Sequence, residues 1–293
     1  MSENSERKAS AAGKRFFSPS VIPLAITSAI FVVVPLCYIV IISFLERGEY
    51  FGVTNVFTFQ NYVKMLDPMY IIVFRDALIV ALLTTACTLL VAYPFSYAMA
   101  RLKAKWRGVV MIFLMAPFWL NSLIRLNGVA TLLRKNGVIN SLLVGAGIIE
   151  EPLQMLYTYG AVIFGMVYAL LPFMILAIYN SVEKMDWSLV EASRDLGASP
   201  VKAFLTVTLP QTLPGIIAGC ILVFVPSVGL FYISDLLGGA KSVLLGNLIR
   251  TEMLSSRNWP FGAALSIVML LVTSAAIQLY KKVTKKSKVG GLW

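Results

Sequence analysis

The chain has 293 residues, of which 58% are hydrophobic and 13% charged, with a formal net charge of +11 and no histidine. Soluble domains carry about 25% charged residues, so this balance excludes an ordinary soluble domain and indicates a polytopic membrane protein. The missing histidine excludes a His-ligated metal site or a His general base. Cys37, Cys87 and Cys220 all fall in apolar runs, where a lone cysteine acts as a small hydrophobe and marks no redox compartment.

Residues 1–19 form a basic tail holding Arg7, Lys8, Lys14 and Arg15. The apolar run behind it is too long for a signal peptide and lacks a clear A-x-A site, so it reads as an uncleaved first span. About 20 apolar residues cross ~30 Å of hydrocarbon as a helix. Six runs reach that length, near residues 21–45, 77–99, 109–133, 156–179, 213–233 and 262–280. Strands would leave backbone groups unpaired in lipid, so the expected fold is an all-α membrane domain of six helices over residues 20–280. A lysine-rich tail, residues 281–293, follows it.

Sixteen of the 25 Lys and Arg residues fall on one side of this arrangement, in the two tails and in the loops near 101–107 and 181–212. Both termini are therefore expected on the cytoplasmic side. The basic tails then face anionic lipid, and the net charge needs no nucleic-acid partner. Residues 134–155 hold an apolar stretch too short to span, expected as a surface or re-entrant helix. Residues 234–261 are interrupted by Gly238-Gly239 and Trp259-Pro260, which predicts short broken helices. Pro35, Pro94, Pro117, Pro172 and Pro226 lie within the spans and predict bends.

The loop 181–212 is the most strongly patterned polar segment. Ser188 and Glu191 have capping-box spacing, and Leu189, Ala192 and Leu196 then share one helical face. Gly197 marks an exit through the left-handed conformation. Ser199-Pro200 reads as a second N-cap with proline at the first helical position, and Pro210 is expected to end that second, short helix.

No G-x-x-x-x-G-K-[ST] occurs, so the chain has no P-loop and any ATP hydrolysis belongs to another polypeptide. Neither a nucleophile–base pair nor a carboxylate dyad lies in the spans, and no metal or cofactor site is expected. Charge at membrane depth costs about 2.5–3.5 kcal/mol on insertion scales and is usually functional. Arg125 is the clear case, with snorkelling to the interface as its plain structural reading. Asp235 closes the fifth run. Phe231, Tyr232 and Asp235 stand at i, i+1 and i+4, where a helix or its frayed end can aim them into one cavity. Aromatic faces with a carboxylate suit an organic cation, at about 0.5–2 kcal/mol per cation–π contact.

Glu191-Ala192-Ser193, three residues, Gly197, nine residues and Val207-Thr208-Leu209-Pro210 resemble the EAA loop of bacterial ABC importer permeases, with Ser193 and Val207 in place of Ala and Ile. Further stretches (PFWLNSLIR, YALLPFM from Tyr168, GLFYISDLLGGAK and NWPFGAA) are similar to the permeases of spermidine/putrescine importers. The resemblance implies a heterodimer with a second, homologous permease, two copies of a cytoplasmic ATPase that holds ATP and Mg, and an extracytoplasmic polyamine-binding protein. It implies that Glu191, Ala192, Ser193, Gly197, Leu209 and Pro210 couple to the ATPase. It also places Trp119, Arg125, Tyr168, Phe231, Tyr232, Asp235 and Arg250 along the substrate path. On the residues alone, a permease for thiamine, an oxyanion or an amino acid stays open, as does a secondary transporter.

Overall fold

The computed structural model describes residues 21–48, 52–239 and 243–289. The N-terminal tail, residues 1–19, lies outside the described residues, as do residues 290–293 and, apart from Lys282, the basic side chains of the C-terminal tail. In chain order the helices are α1 (Val21–Ser28), α2 (Val34–Ser43), α3 (Gln60–Lys64), α4 (Pro68–Ala100), α5 (Ala104–Met115), α6 (Ser122–Leu133) and α7 (Val138–Gly145). They continue as α8 (Tyr159–Glu183), α9 (Trp187–Asp195), α10 (Pro200–Ala203), α11 (Leu209–Gly229), α12 (Phe231–Ile233), α13 (Leu245–Arg250) and α14 (Trp259–Val289). Strands β1 (Leu45–Arg47) and β2 (Val53–Phe57) pair antiparallel.

Among the described residues five helices are long and apolar enough to cross a membrane, six if the bent pair Ala104–Trp119 and Ser122–Gly145 counts as one span. That bend, 94°, corrects the expectation of one continuous span over 109–133. Pro117 supplies no amide hydrogen, Leu120 turns extended (φ −86°, ψ 146°), and the Asn121 side chain accepts from the Leu123 N–H to start a new helix.

The other boundaries moved for similar reasons. α4 starts at Pro68 rather than near 77, because Asp67 caps it. The Arg75–Asp76 pair (2.8 Å) interrupts the apolar run without interrupting the helix. Trp259-Pro260 opens α14 instead of breaking it, with Asn258 Oδ1 accepting from the Phe261 N–H. The fifth span ends at Gly229, short of the expected 233, where Leu230 adopts φ −74°, ψ 71°. Pro210 does not end the preceding helix either. A π turn, Phe204–Thr208, joins α10 to α11, and the Thr212 hydroxyl donates to the Thr208 carbonyl (2.9 Å) beside the prolines. The hairpin β1–β2 had no counterpart in the hydropathy pattern. It is closed by stacking of Phe44 on Phe57 (5.4 Å) and by Asn61, which donates to the Ser43 and Leu45 carbonyls.

The described residues divide into two compact units, those of 21–64 with 252–267 and those of 65–251 with 268–289. In the first, Arg47 donates to the Ser256 carbonyl and Lys64 lies 4.4 Å from the centroid of the fully buried Phe261 ring. In the second, α4, α8 and α11 pack as a trio. Ala77, Ala81, Thr84, Thr88, Ala92 and Ser96 line the buried face of α4, and such small residues let helix backbones approach in lipid. Ser96 donates to the Ile175 carbonyl (3.0 Å), and Tyr93 and Thr212 hydroxyls meet at 3.0 Å. Gly215 takes α11 against α8 so closely that an added Cβ would lie 2.8 Å from the Ala177 carbonyl oxygen.

Candidate functional site

Two places concentrate the residues singled out in the sequence. The first is the knob that follows α8. Helix α9 starts at Asp186, whose carboxylate accepts from the Ser188 N–H (3.0 Å); Ser188 is therefore inside the first turn and Glu191 is not a capping-box partner. The helix ends as expected. Gly197 has φ +85°, its N–H donates to the Arg194 carbonyl (2.9 Å), and the Ala198 N–H donates to the Ser193 carbonyl (3.0 Å). That pair of bonds is a complete Schellman closure. Ser199 then caps α10 through the Lys202 N–H.

The knob is seated on its own small core of Met185, Val190 and Ala203, against which Trp187, Ala198 and Val207 pack. Arg101 lies over the Tyr97 and Trp187 rings at 4.8 and 5.1 Å, tying the loop after α4 to the knob. The opposite face stays open. Leu189 is 50% and Leu196 89% exposed, and Glu191 and Ala192 are exposed beside them. An open cleft of about 480 Å³ runs along Glu191, Arg194, Asp195 and Gly197 to Pro200. Ser193 turns inward and donates to the Val190 carbonyl; Leu209 is half-buried and Pro210 exposed on the helix that leads away.

The second place is the break after α11. Phe231, Tyr232 and Asp235 lie on the short α12 and on the π turn Ser234–Gly238 that follows it. The Phe231 and Tyr232 rings meet edge to face at 6.2 Å. Asp235 is bound from both sides, by the Arg250 guanidinium on Oδ2 and by the Asn247 amide on Oδ1. Arg250 also lies 5.4 Å from the Phe231 centroid. Asn247 was not anticipated, yet it organises this corner. Besides Asp235 it donates to the Phe231 carbonyl (3.2 Å) and accepts from the Leu244 N–H (3.1 Å). Gly246 brings α13 up to the break: a Cβ there would lie 2.5 Å from the Gly229 carbonyl oxygen. The acid keeps 43% and the arginine 49% of its side-chain surface, so the pair is open to a ligand.

Arg125 belongs to a separate aromatic cluster. Its guanidinium lies 4.6 Å from the Phe118 centroid and 5.8 Å from that of Tyr168, and Phe118 meets Phe173 edge to face. No carboxylate among the described residues pairs with it, and its Nε is buried without a hydrogen-bond partner. Phe118 and Phe173 were missed because apolar residues in a span give no signal beyond hydropathy. Trp119 stands apart at the bend, 83% exposed.

Residues 92–288 match the family of binding-protein-dependent transport system inner membrane components. Over 256 residues the chain is 44% identical to the spermidine/putrescine transport system permease protein PotB of Escherichia coli, covering 87% of this chain and 93% of that protein. The protein of the same name from Haemophilus influenzae is also 44% identical over 256 residues, covering 87% and 89%. Among solved structures, a chain of the bacterial alginate ABC transporter in complex with alginate pentasaccharide-bound periplasmic protein superposes with a TM-score of 0.75 at 16% identity, covering 92% of this chain and 93% of that one. A chain of the MetNI methionine ABC transporter gives 0.56 at 15% identity, covering 76% and 99%. These two likenesses carry the fold alone. The chain belongs to the binding-protein-dependent transport permease family and is a multi-pass inner-membrane subunit with the type I ABC importer fold.

Proposed function

We propose that this chain is one permease of an ATP-driven spermidine/putrescine importer. The observation that carries the polyamine reading is the Asp235 corner, where a carboxylate and two aromatic rings converge on a helix break at the end of a span. A broken helix exposes backbone and side chains to a cavity at membrane depth, where an organic cation gains from a carboxylate and from aromatic faces. In this conformation the acid is satisfied by Arg250 and Asn247, so a substrate ammonium reaches it by exchange with the guanidinium. Phe231, Tyr232 and Arg250 then line the path, with Trp119, Arg125 and Tyr168 further along it. The family and the 44% identity to the PotB proteins support this assignment.

The knob Glu191–Pro210 passes work from a cytoplasmic ATPase. Its support is the exposed Leu189–Leu196 face, which leaves apolar surface uncovered by this chain although the knob is firmly capped. Two ATPase copies hold ATP and Mg, a second homologous permease completes the pathway, and a polyamine-binding protein delivers substrate outside. This chain binds no cofactor. Residues 20–280 form the membrane domain, both tails are cytoplasmic, and transport proceeds by alternating access. An oxyanion permease is the second reading, because Arg125 has rings but no acid beside it. Reconstitution of the four-component complex in proteoliposomes separates the two. Asp235→Asn is expected to cut spermidine-stimulated uptake by on the order of tenfold, about 1.4 kcal/mol, with assembly intact. Unchanged polyamine uptake in that variant, or uptake inhibited by sulfate rather than by putrescine, would reject the polyamine path.

A further inference from the structure

We propose that Tyr157 is a positioning residue for Asp235, holding in place the turn that carries the carboxylate. The proposal rests on the reading of the Asp235 corner as part of the substrate path. Tyr157 has φ +63°, a left-handed conformation that a bulky residue adopts only where its surroundings enforce it. Two contacts tie it to the turn. The Tyr157 N–H donates to the Leu237 carbonyl (2.8 Å), across 80 positions of sequence. Its ring lies against Gly239, so close that a Cβ there would sit 2.9 Å from Cδ1. Gly239 itself has φ +58°, ψ −156°, a region only glycine occupies readily, and the missing side chain is what admits the ring.

Both ends of the clamp are fixed. Upstream of Tyr157, the fully buried Asn140 donates to the Leu153 carbonyl (2.8 Å) and accepts from the Leu153 N–H (2.9 Å). Downstream, Thr158 caps α8 through the Ala161 N–H. At the other end, Leu237 is fully buried and fills the space left by Gly165. The turn Ser234–Gly238 is thus pinned at Leu237 by Tyr157, two residues from Asp235, whose carboxylate is held by Asn247 and Arg250. The Tyr157 ring is half-exposed, so core packing does not account for the strained backbone. Tyr157 also lies at the end of α8 opposite the knob. The 25 residues of that helix separate the two ends by roughly 37 Å at 1.5 Å per residue. The clamp therefore holds the turn from the face away from the ATPase-coupling loop.

The test is a double-mutant cycle on initial spermidine uptake by the reconstituted complex, with co-purification of the ATPase monitoring assembly. Asparagine tolerates the left-handed backbone, so Tyr157→Asn keeps the amide bond and removes the ring. It is expected to lower uptake by on the order of tenfold, while Tyr157→Phe behaves as wild type. Combined with Asp235→Asn it is expected to lower uptake no further than Asp235→Asn alone, because residues acting through one another do not add. Should Tyr157→Asn fail to assemble, Tyr157→Gly replaces it in the cycle. Wild-type uptake in the single variant, or losses that multiply in the double variant, would overturn the proposal. So would an equal loss in Gln154→Ala, which lines the same outer cavity of about 410 Å³ and would make the cavity, not the clamp, responsible. If Asp235→Asn itself transports normally, the substrate-path reading falls and this inference with it. If Asp235→Asn is impaired and the losses multiply, only this inference falls.

Discussion

The knob at Gly197 and the corner at Asp235 are both places where a helix stops at a glycine and another begins, yet they are built in opposite ways. At the knob the bonds that close the helix ends all run within five residues: Asp186 to Ser188, Arg194 to Gly197, Ser193 to Ala198, Ser199 to Lys202. At the corner the partners come from 16 positions away through Asn247, 15 through Arg250 and 80 through Tyr157. A locally closed break is stiff by itself and moves as one piece, which suits a part that transmits force. A break closed by distant side chains can change only when the elements carrying them shift, which suits a part that responds to rearrangement of the helices.

The largest effect expected from this contrast is at Gly246, where the corner depends on backbone approaching backbone. A Cβ there meets the Gly229 carbonyl at 2.5 Å and its carbon at 3.0 Å, neither of which is a side-chain tip that can swing aside. Gly246→Ala should push α13 away from the break, carrying Asn247 and Arg250 off Asp235. Overpacking of this kind costs about 1–3 kcal/mol, read as a lowered thermal midpoint of the purified complex together with lost uptake. A normal midpoint and normal uptake would show that the corner tolerates displacement of its distant partners.

Next comes Gly197→Pro. No atom lies within 4 Å of a Cβ at this position, so the substitution acts only through the backbone. Proline fixes φ near −65° where the structure has +85° and removes the N–H that Arg194 accepts. The subunit should fold and co-purify while uptake and substrate-stimulated ATP hydrolysis are lost, because the damage stays within a locally closed unit. Loss of folding would mean that the knob is not the self-contained piece described above.

The same contrast explains what could be read from the chain. The six apolar runs, the Gly197 exit, the Ser199-Pro200 cap and the broken segment after the fifth span all follow from neighbours in sequence. Pro117 predicts a bend, but not one of 94° with a new helix capped by Asn121, because hydropathy averages over one proline and one asparagine inside a run of 25. Asp235, Phe231 and Tyr232 were legible as residues able to meet an organic cation, but Asn247 was not, since a lone asparagine between Leu245 and Leu248 carries no pattern. Tyr157 was equally invisible, for its role depends on a left-handed backbone and on a glycine 82 positions later. Pro210 misled for a physical reason: the π turn Phe204–Thr208 carries the chain straight into α11, and Pro210 falls in the first turn of that helix.

The smallest expected effect tests which residue closes the knob at its start. Capping-box spacing points to Ser188, whereas the structure has the Asp186 carboxylate accepting the Ser188 amide and records no cap made by the Ser188 side chain. Replacing an N-cap by alanine costs about 1 kcal/mol, so Asp186→Ala should lower the stability of the knob by that amount. Ser188→Ala, which keeps the amide that Asp186 needs and places a better helix former in the first turn, should change it by less than about 0.5 kcal/mol. Hydrogen exchange at the amides of α9 in the assembled complex resolves the difference. Faster exchange confined to Asp186→Ala is the expected result. Equal protection in the two variants would mean that the Met185–Val190–Ala203 core and the Arg101 contact, rather than local capping, hold this helix, and the distinction between a locally closed knob and a distantly closed corner would then rest on Gly197 alone.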